Sequence, residues 1–195
     1  MYCAGCGRIS DEPLCPPCDE KVQAGSYARL YDHRCPECRL PCLDSTYRCS
    51  WCTEGRISWG GYEGLLARLL ALHKSRKDHR LVHYLAKLLV PMMSMMDPGL
   101  LVPIPASQGG FRQRGYDQML LFSMELSRQI GVPTCPVLIQ KKGTVGLIKR
   151  SMKIKNKRII LLDDIYTTGK TSSDCRKILR ETFGINPFVV TIAES

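Results

Sequence analysis

From Gly64 onward, apolar residues recur at helical spacing. Leu65, Leu66, Leu69, Leu70 and Leu72 form one stripe, which predicts an amphipathic helix. A second helix is predicted from His79 to Met95, where Leu81, Val82, Leu85, Leu88, Leu89 and Met92 repeat, and Pro91 should kink or end it. After the turn signal Asp97-Pro98-Gly99, Leu100 to Pro105 reads as a short buried strand. A polar loop, Ser107 to Gly115, should follow, then a helix from Tyr116 to Ile130 with Gly131 as its stop. Val137 to Gln140 suits another strand. Ile159 to Leu162 is an unbroken apolar run, the pattern of a central parallel strand covered on both faces. A helix from Thr171 to Thr182 and a strand from Pro187 to Ile192 complete the order expected of an open α/β sheet.

The front of the chain follows a different rule. Nine of the 11 cysteines precede residue 53, and eight form Cys-x-x-Cys pairs: Cys3/Cys6, Cys15/Cys18, Cys35/Cys38 and Cys49/Cys52. Two thiolates separated by two residues can face one metal from a tight turn, and two such turns complete a tetrahedral sulfur shell. The simplest pairing places one Zn2+ on Cys3, Cys6, Cys15 and Cys18 and a second on Cys35, Cys38, Cys49 and Cys52; an interleaved pairing stays open. A disulfide framework would need an oxidising compartment. Cys42 is a spare thiol, while Cys135 and Cys175 read as small core residues. His79 and His83 share a helical face, but no third ligand stands near them, and the methionines at 92, 93, 95 and 96 read as packing.

Charge separates the same two regions. Residues 1–58 carry 7 Lys/Arg against 8 Asp/Glu, whereas residues 59–195 carry 21 against 10. A cysteine-rich module over 1–58 and an α/β domain over 59–195 are therefore expected. The chain's formal charge of +10 thus comes from the second, which should attract polyanions. Hydrophobic content of 44% is that of a globular protein, and no apolar run approaches the roughly 18 residues of a membrane span. Cys3 follows Met1 too closely for a secretory leader, so a cytoplasmic location is expected.

The segment Ile159-Ile160-Leu161-Leu162-Asp163-Asp164-Ile165-Tyr166-Thr167-Thr168-Gly169-Lys170-Thr171 carries the chemistry. Two carboxylates stand where the strand should end, the usual ligand edge of an open α/β sheet. The turn that follows offers backbone N–H groups and hydroxyls at a helix N-terminus, which is a phosphate cradle, and Lys170 adds a charge. Asp163 and Asp164 can meet the hydroxyls of the attached sugar, directly or through Mg2+. A P-loop would need glycine where Asp164 stands.

This segment resembles the ribose-phosphate signature of type I phosphoribosyltransferases. Together with the paired Cys-x-x-Cys ribbons, Val102-Pro103-Ile104-Pro105, and Arg112-x-Arg114-Gly115-Tyr116-x-Gln118, it resembles the ComF competence-protein family along essentially the whole chain. The resemblance implies a type I phosphoribosyltransferase-like parallel sheet with helices on both faces, preceded by a small zinc-ribbon module with four cysteines per metal. It implies that Asp163 and Asp164 meet the ribose, that Thr167, Thr168, Gly169, Lys170 and Thr171 hold its phosphate, and that Ser107, Arg112 and Arg114 serve a pyrophosphate. Asp117 stands where the family usually has Asn. The implied ligand is phosphoribosyl pyrophosphate with Mg2+. The implied role is uptake of single-stranded DNA during natural transformation, beside other competence-machinery proteins. A Mg2+-dependent phosphoribosyltransferase, with Asp163 and Asp164 as its catalytic pair, and a ligand-sensing regulator stay open, as does a homodimer.

Overall fold

The computed structural model describes residues 1–44, 48–75, 77–148 and 158–195. Each cysteine set places its second Cys-x-x-Cys on the first turn of a helix. Cys15 precedes α1 (Pro16–Ala24), where Pro16 takes a position whose N–H has no helical partner. Cys49 likewise precedes α3 (Ser50–Glu54). Between them lie the short α2 (Tyr27–Leu30) and a small hairpin of β1 (His33–Arg34) and β2 (Pro41–Cys42).

Next comes β3 (Arg56–Gly61), a strand that the apolar pattern did not announce. It is followed by α4 (Gly64–Ser75) and α5 (His79–Met96). The Asp78 side chain caps α5 by accepting from the N–H groups of Arg80 and Leu81. Pro91 neither ends nor replaces that helix. It lies on the solvent face one turn after the exposed Lys87, so the carbonyl it leaves unpaired can be hydrated. Met93 and Met96 are core, as read; Met95 is 53% exposed.

The main sheet contains β3, β4 (Leu100–Pro103), β7 (Ile159–Tyr166) and β8 (Phe188–Glu194) in the order β3-β8-β7-β4, and every neighbouring pair is parallel. Side chains alternate across it. Ile160 and Leu162 join the core beneath α4, α5 and α7 (Gln118–Ile130). Ile159 and Leu161 join the opposite core with Cys175 and Leu179 of α8 (Lys170–Phe183). The expected parallel sheet with helices on both faces is present, and β7 is central in it.

Residues 107–115 differ from the expected loop. They hold a short helix, α6 (Gln108–Arg114), because the Ser107 hydroxyl accepts from the N–H of Gly110 and Gly115 ends it at positive φ. Residues 141–158 form a basic connector with eight Lys/Arg and no acid, and its first part lies in an antiparallel hairpin, β5 (Leu138–Lys141) with β6 (Thr144–Leu147). The remainder of that connector, 149–157, lies outside the described residues.

The cysteine region shares its core with the sheet region. Cys3, Cys15, Cys18, Val22 and Leu40 fall in one hydrophobic cluster with Leu66, Leu70, Tyr84 and Leu88. Among the described residues, no helix is long and apolar enough to cross a membrane.

Candidate functional site

The sheet brings two carboxylates to its ligand edge. Asp163 and Asp164 occupy β7 after four buried aliphatic residues, and Asp164 is itself 6% exposed. Parallel pairing sets Pro103 beside Leu162, and Ile104 donates to the Leu162 carbonyl at 2.8 Å. The segment from Pro105 to Ser107 thus emerges next to Asp163.

Beyond β7, Thr167 and Thr168 are exposed in the turn and Gly169 caps α8 at φ 70. A side chain at that position would be strained by the backbone and would overlap the Tyr166 ring. The turn is knitted by the Ser172 hydroxyl, which donates to the Gly169 carbonyl at 2.9 Å. Lys170 is exposed at the first helical position and Thr171 is half-buried behind it. No acid lies in the first turn of α8, so that turn carries no charge to repel an anion from its N-terminus. Asp163, Asp164 and Thr167 to Thr171 are therefore one continuous edge.

The electrostatics of this edge favour a cation. Burial, and then the neighbouring Asp164 charge, push the Asp163 carboxyl up to about 8. Its Oδ1 accepts from the Asp164 N–H at 2.9 Å. Asp164 Oδ2 receives Gln118 Nε2 at 2.8 Å and Lys74 Nζ at 3.1 Å. Two hard carboxylate donors crowded on adjacent residues are a set that a divalent cation such as Mg2+ would relieve.

The other expected residues divide. Ser107 caps α6 and is exposed. Arg112 is exposed on α6 and, among the described residues, makes no ion pair with the carboxylates. Arg114 is half-buried, and its Nε has no hydrogen-bond partner among the described residues. Asp117 is a helix cap: Oδ1 accepts from Met119 and Leu120 N–H, and Oδ2 from Ala106 N–H at 3.2 Å.

Gln118, Lys74 and the buried His73 had not been expected as site residues. Burial keeps the His73 imidazole below its ordinary range, against the opposing charge of Asp164. Gln118 was visible only as part of a motif. Lys74 and His73 end a leucine-rich helix and carried no signal of their own.

Each cysteine set gathers into one cluster, Cys3, Cys6, Cys15 and Cys18 in the first and Cys35, Cys38, Cys49 and Cys52 in the second, with all sulfurs of a set within 4.8 Å of one another. The interleaved pairing is thereby excluded. Sulfur separations of 3.6, 3.8 and 3.3 Å lie close to the edge of about 3.8 Å implied by Zn–S bonds of about 2.3 Å in a tetrahedron. They are far too long for S–S bonds of about 2.05 Å. The two sets could hold two zinc ions.

Local donors favour the thiolate at one sulfur of each set, Cys6 and Cys35, whereas burial pushes Cys18 and Cys38 up to about 12. Arg8 Nε donates to Cys6 Sγ and brings that thiol down to about 6. Burial raises Cys35, but the backbone N–H groups of Cys38 and Cys49 outweigh it and bring it to about 6. Cys42 lies outside both clusters and donates to the Asp44 carbonyl.

A cavity of about 930 Å3 lies elsewhere, between the second cysteine set and α5, walled by Tyr27, Leu40, Trp59, Tyr84 and Met92. It contains none of the carboxylate or turn residues, so size does not mark the site that the donor chemistry marks.

No protein-family model matches the chain. Competence protein F of Haemophilus influenzae is 24% identical over 217 aligned positions, covering 93% of this chain and 90% of that protein. Orotate phosphoribosyltransferase of Helicobacter acinonychis is 33% identical over 63 residues, 32% of this chain and 30% of that enzyme. Among solved structures, purine phosphoribosyltransferase from Pyrococcus horikoshii superposes with a TM-score of 0.42 at 12% identity, over 58% of this chain and 83% of that one. The resemblance to competence proteins of the ComF kind thus extends over most of the chain.

Proposed function

We propose that this chain supports entry of single-stranded DNA into the cytoplasm during natural transformation, through a domain that binds phosphoribosyl pyrophosphate with Mg2+. Residues 59–195 hold the ligand site, and the cysteine sets of residues 1–58 bind two Zn2+; β3 (Arg56–Gly61) runs across that boundary into the main sheet. The competence assignment rests on the likeness to Competence protein F over 93% of the chain. The ligand assignment rests on one observation. The carboxylates of Asp163 and Asp164 lie on the central strand and are followed directly by the Thr167-to-Thr171 turn into α8.

Such an edge holds both ends of a ribose phosphate. The turn N–H groups and threonine hydroxyls take the phosphate, and Lys170 adds charge. Asp163 and Asp164 would take the ribose hydroxyls or hold Mg2+, with Ser107, Arg112 and Arg114 on the adjoining segment. Bound Mg2+ would neutralise the pyrophosphate; the protein residues bind and orient.

Thermal melting tests this reading. Phosphoribosyl pyrophosphate with Mg2+ should stabilise the wild-type chain, as ligands of a folded state do. Asp163→Ala with Asp164→Ala should abolish the shift. An unchanged shift in the double variant would reject the site.

The local likeness to an orotate phosphoribosyltransferase supports a second reading, a working transferase. Catalysis would then be positioning and charge stabilisation, with no side-chain nucleophile. Pyrophosphate release over a panel of purine and pyrimidine bases separates the two readings.

A further inference from the structure

Asp164 is buried, yet its Oδ2 already has two donors, Gln118 Nε2 at 2.8 Å and Lys74 Nζ at 3.1 Å. They differ in freedom. Gln118 is 6% exposed in the first turn of α7, held by the Asp117 cap. Lys74 sits in the last turn of α4 with its side chain 40% exposed, so it can swing away without opening the core. Its ammonium now does for Asp164 what a divalent cation would do, cancelling one charge beside Asp163. A divalent cation and the ammonium held on that one carboxylate would repel each other, so binding of the cation disfavours the Lys74 contact.

We propose that Lys74 is a working residue of this site: it neutralises Asp164 while no divalent cation is bound, and turns to the phosphoryl oxygens of the ligand when a cation takes the carboxylate. The proposal rests on reading Asp163 to Thr171 as a ribose-phosphate edge. A flexible stem with a compact charge and three donors suits a group that changes partners, whereas an amide cannot hand over a charge. Gln118 keeps Asp164 oriented throughout. Its Oε1, buried and without a partner among the described residues, stays available to a donor from the ligand.

The test uses full-length, zinc-loaded protein and isothermal titration, first with MgCl2 alone and then with phosphoribosyl pyrophosphate at saturating Mg2+. Lys74→Ala should bind Mg2+ alone several-fold more tightly, because a competitor is gone. It should bind phosphoribosyl pyrophosphate about tenfold more weakly, because a charge-assisted contact is lost. Lys74→Arg should recover most of the second affinity. Opposite signs are the signature, since damage to the edge weakens both. Constants within about twofold of wild type in both titrations, or a parallel loss in both, overturn the proposal. If the wild-type chain binds no phosphoribosyl pyrophosphate, the ribose-phosphate reading fails, and unchanged Mg2+ affinity in Lys74→Ala would then reject the role of Lys74 separately.

Discussion

The Tyr84 hydroxyl on α5 donates to Asp19 Oδ1 on α1 at 2.7 Å, joining the helix that follows the first cysteine set to the helices that cover the sheet. Asp19 directly follows Cys18, a member of that set, and both Cys18 and Tyr84 belong to one hydrophobic core. Small metal clusters have little core of their own, so the metal supplies their folding energy. Here that energy is shared with the sheet. Chelating the metal under reducing conditions should lower the melting temperature of the whole chain in a single transition. Tyr84→Phe should cost about 1–2 kcal/mol in urea denaturation with zinc content unchanged. Two separate transitions on chelation would contradict the shared core.

Gly5 lies inside the first cluster, where an added Cβ would stand 2.8 Å from Cys18 Sγ and 3.3 Å from a Leu65 methyl group. Cys18 Sγ would have to shift, because Leu65 limits how far the new methyl group can move away from it. Gly5→Ala should therefore lose one zinc of two by metal analysis, with the second set, Cys35, Cys38, Cys49 and Cys52, still occupied. Full retention of both ions would show that the first set tolerates a side chain there and is looser than its packing implies.

Asp163 should make ligand-free stability depend on pH in an identifiable sense. Its folded value is about 8 against 3.8 for the free group, so the folded chain keeps a proton that the unfolded chain releases. Stability from this group falls as pH rises through that window and levels off above it. Asp163→Asn should be more stable than wild type near pH 8, and the difference should shrink toward pH 4. Mg2+ binding should release a proton in the wild type below pH 8, measurable by calorimetry in buffers of different ionisation enthalpy. A pH-independent difference between the two proteins would reject a protonated Asp163 carboxyl.

The elements that position the site were legible because each rests on local pattern. Ile159 to Leu162 is apolar on both faces because β7 is covered on both, and the αL demand at Gly169 marks the turn into α8. The cysteine spacing announced its own clusters. The elements that escaped depend on tertiary partners. β3, Arg-Ile-Ser-Trp-Gly-Gly, lacks alternation; Ser58 is buried because its hydroxyl meets Thr191 at 2.7 Å, and Gly60 is needed because a Cβ would lie 2.6 Å from the Gly25 carbonyl. Lys74 and Gln118 lie 90 and 46 positions from Asp164 in sequence, and only the packing of α4 and α7 on β7 unites them.

Lys141 and Lys142 are exposed at the tip of the β5–β6 hairpin. Among the described residues they face no carboxylate in an ion pair, so their charges are open to a polyanion. If the chain handles single-stranded DNA through this surplus, log affinity for an oligonucleotide should fall linearly with log salt, because each phosphate neutralised releases counterions. Lys141→Ala with Lys142→Ala should flatten the slope by about 1.4, taking about 0.7 per contact on a single strand. The melting temperature should stay unchanged, since both side chains are solvated. A salt-independent affinity would mean that the positive field of this domain serves a small anion instead. An unaltered slope in the double variant would move the DNA contacts away from the hairpin tip.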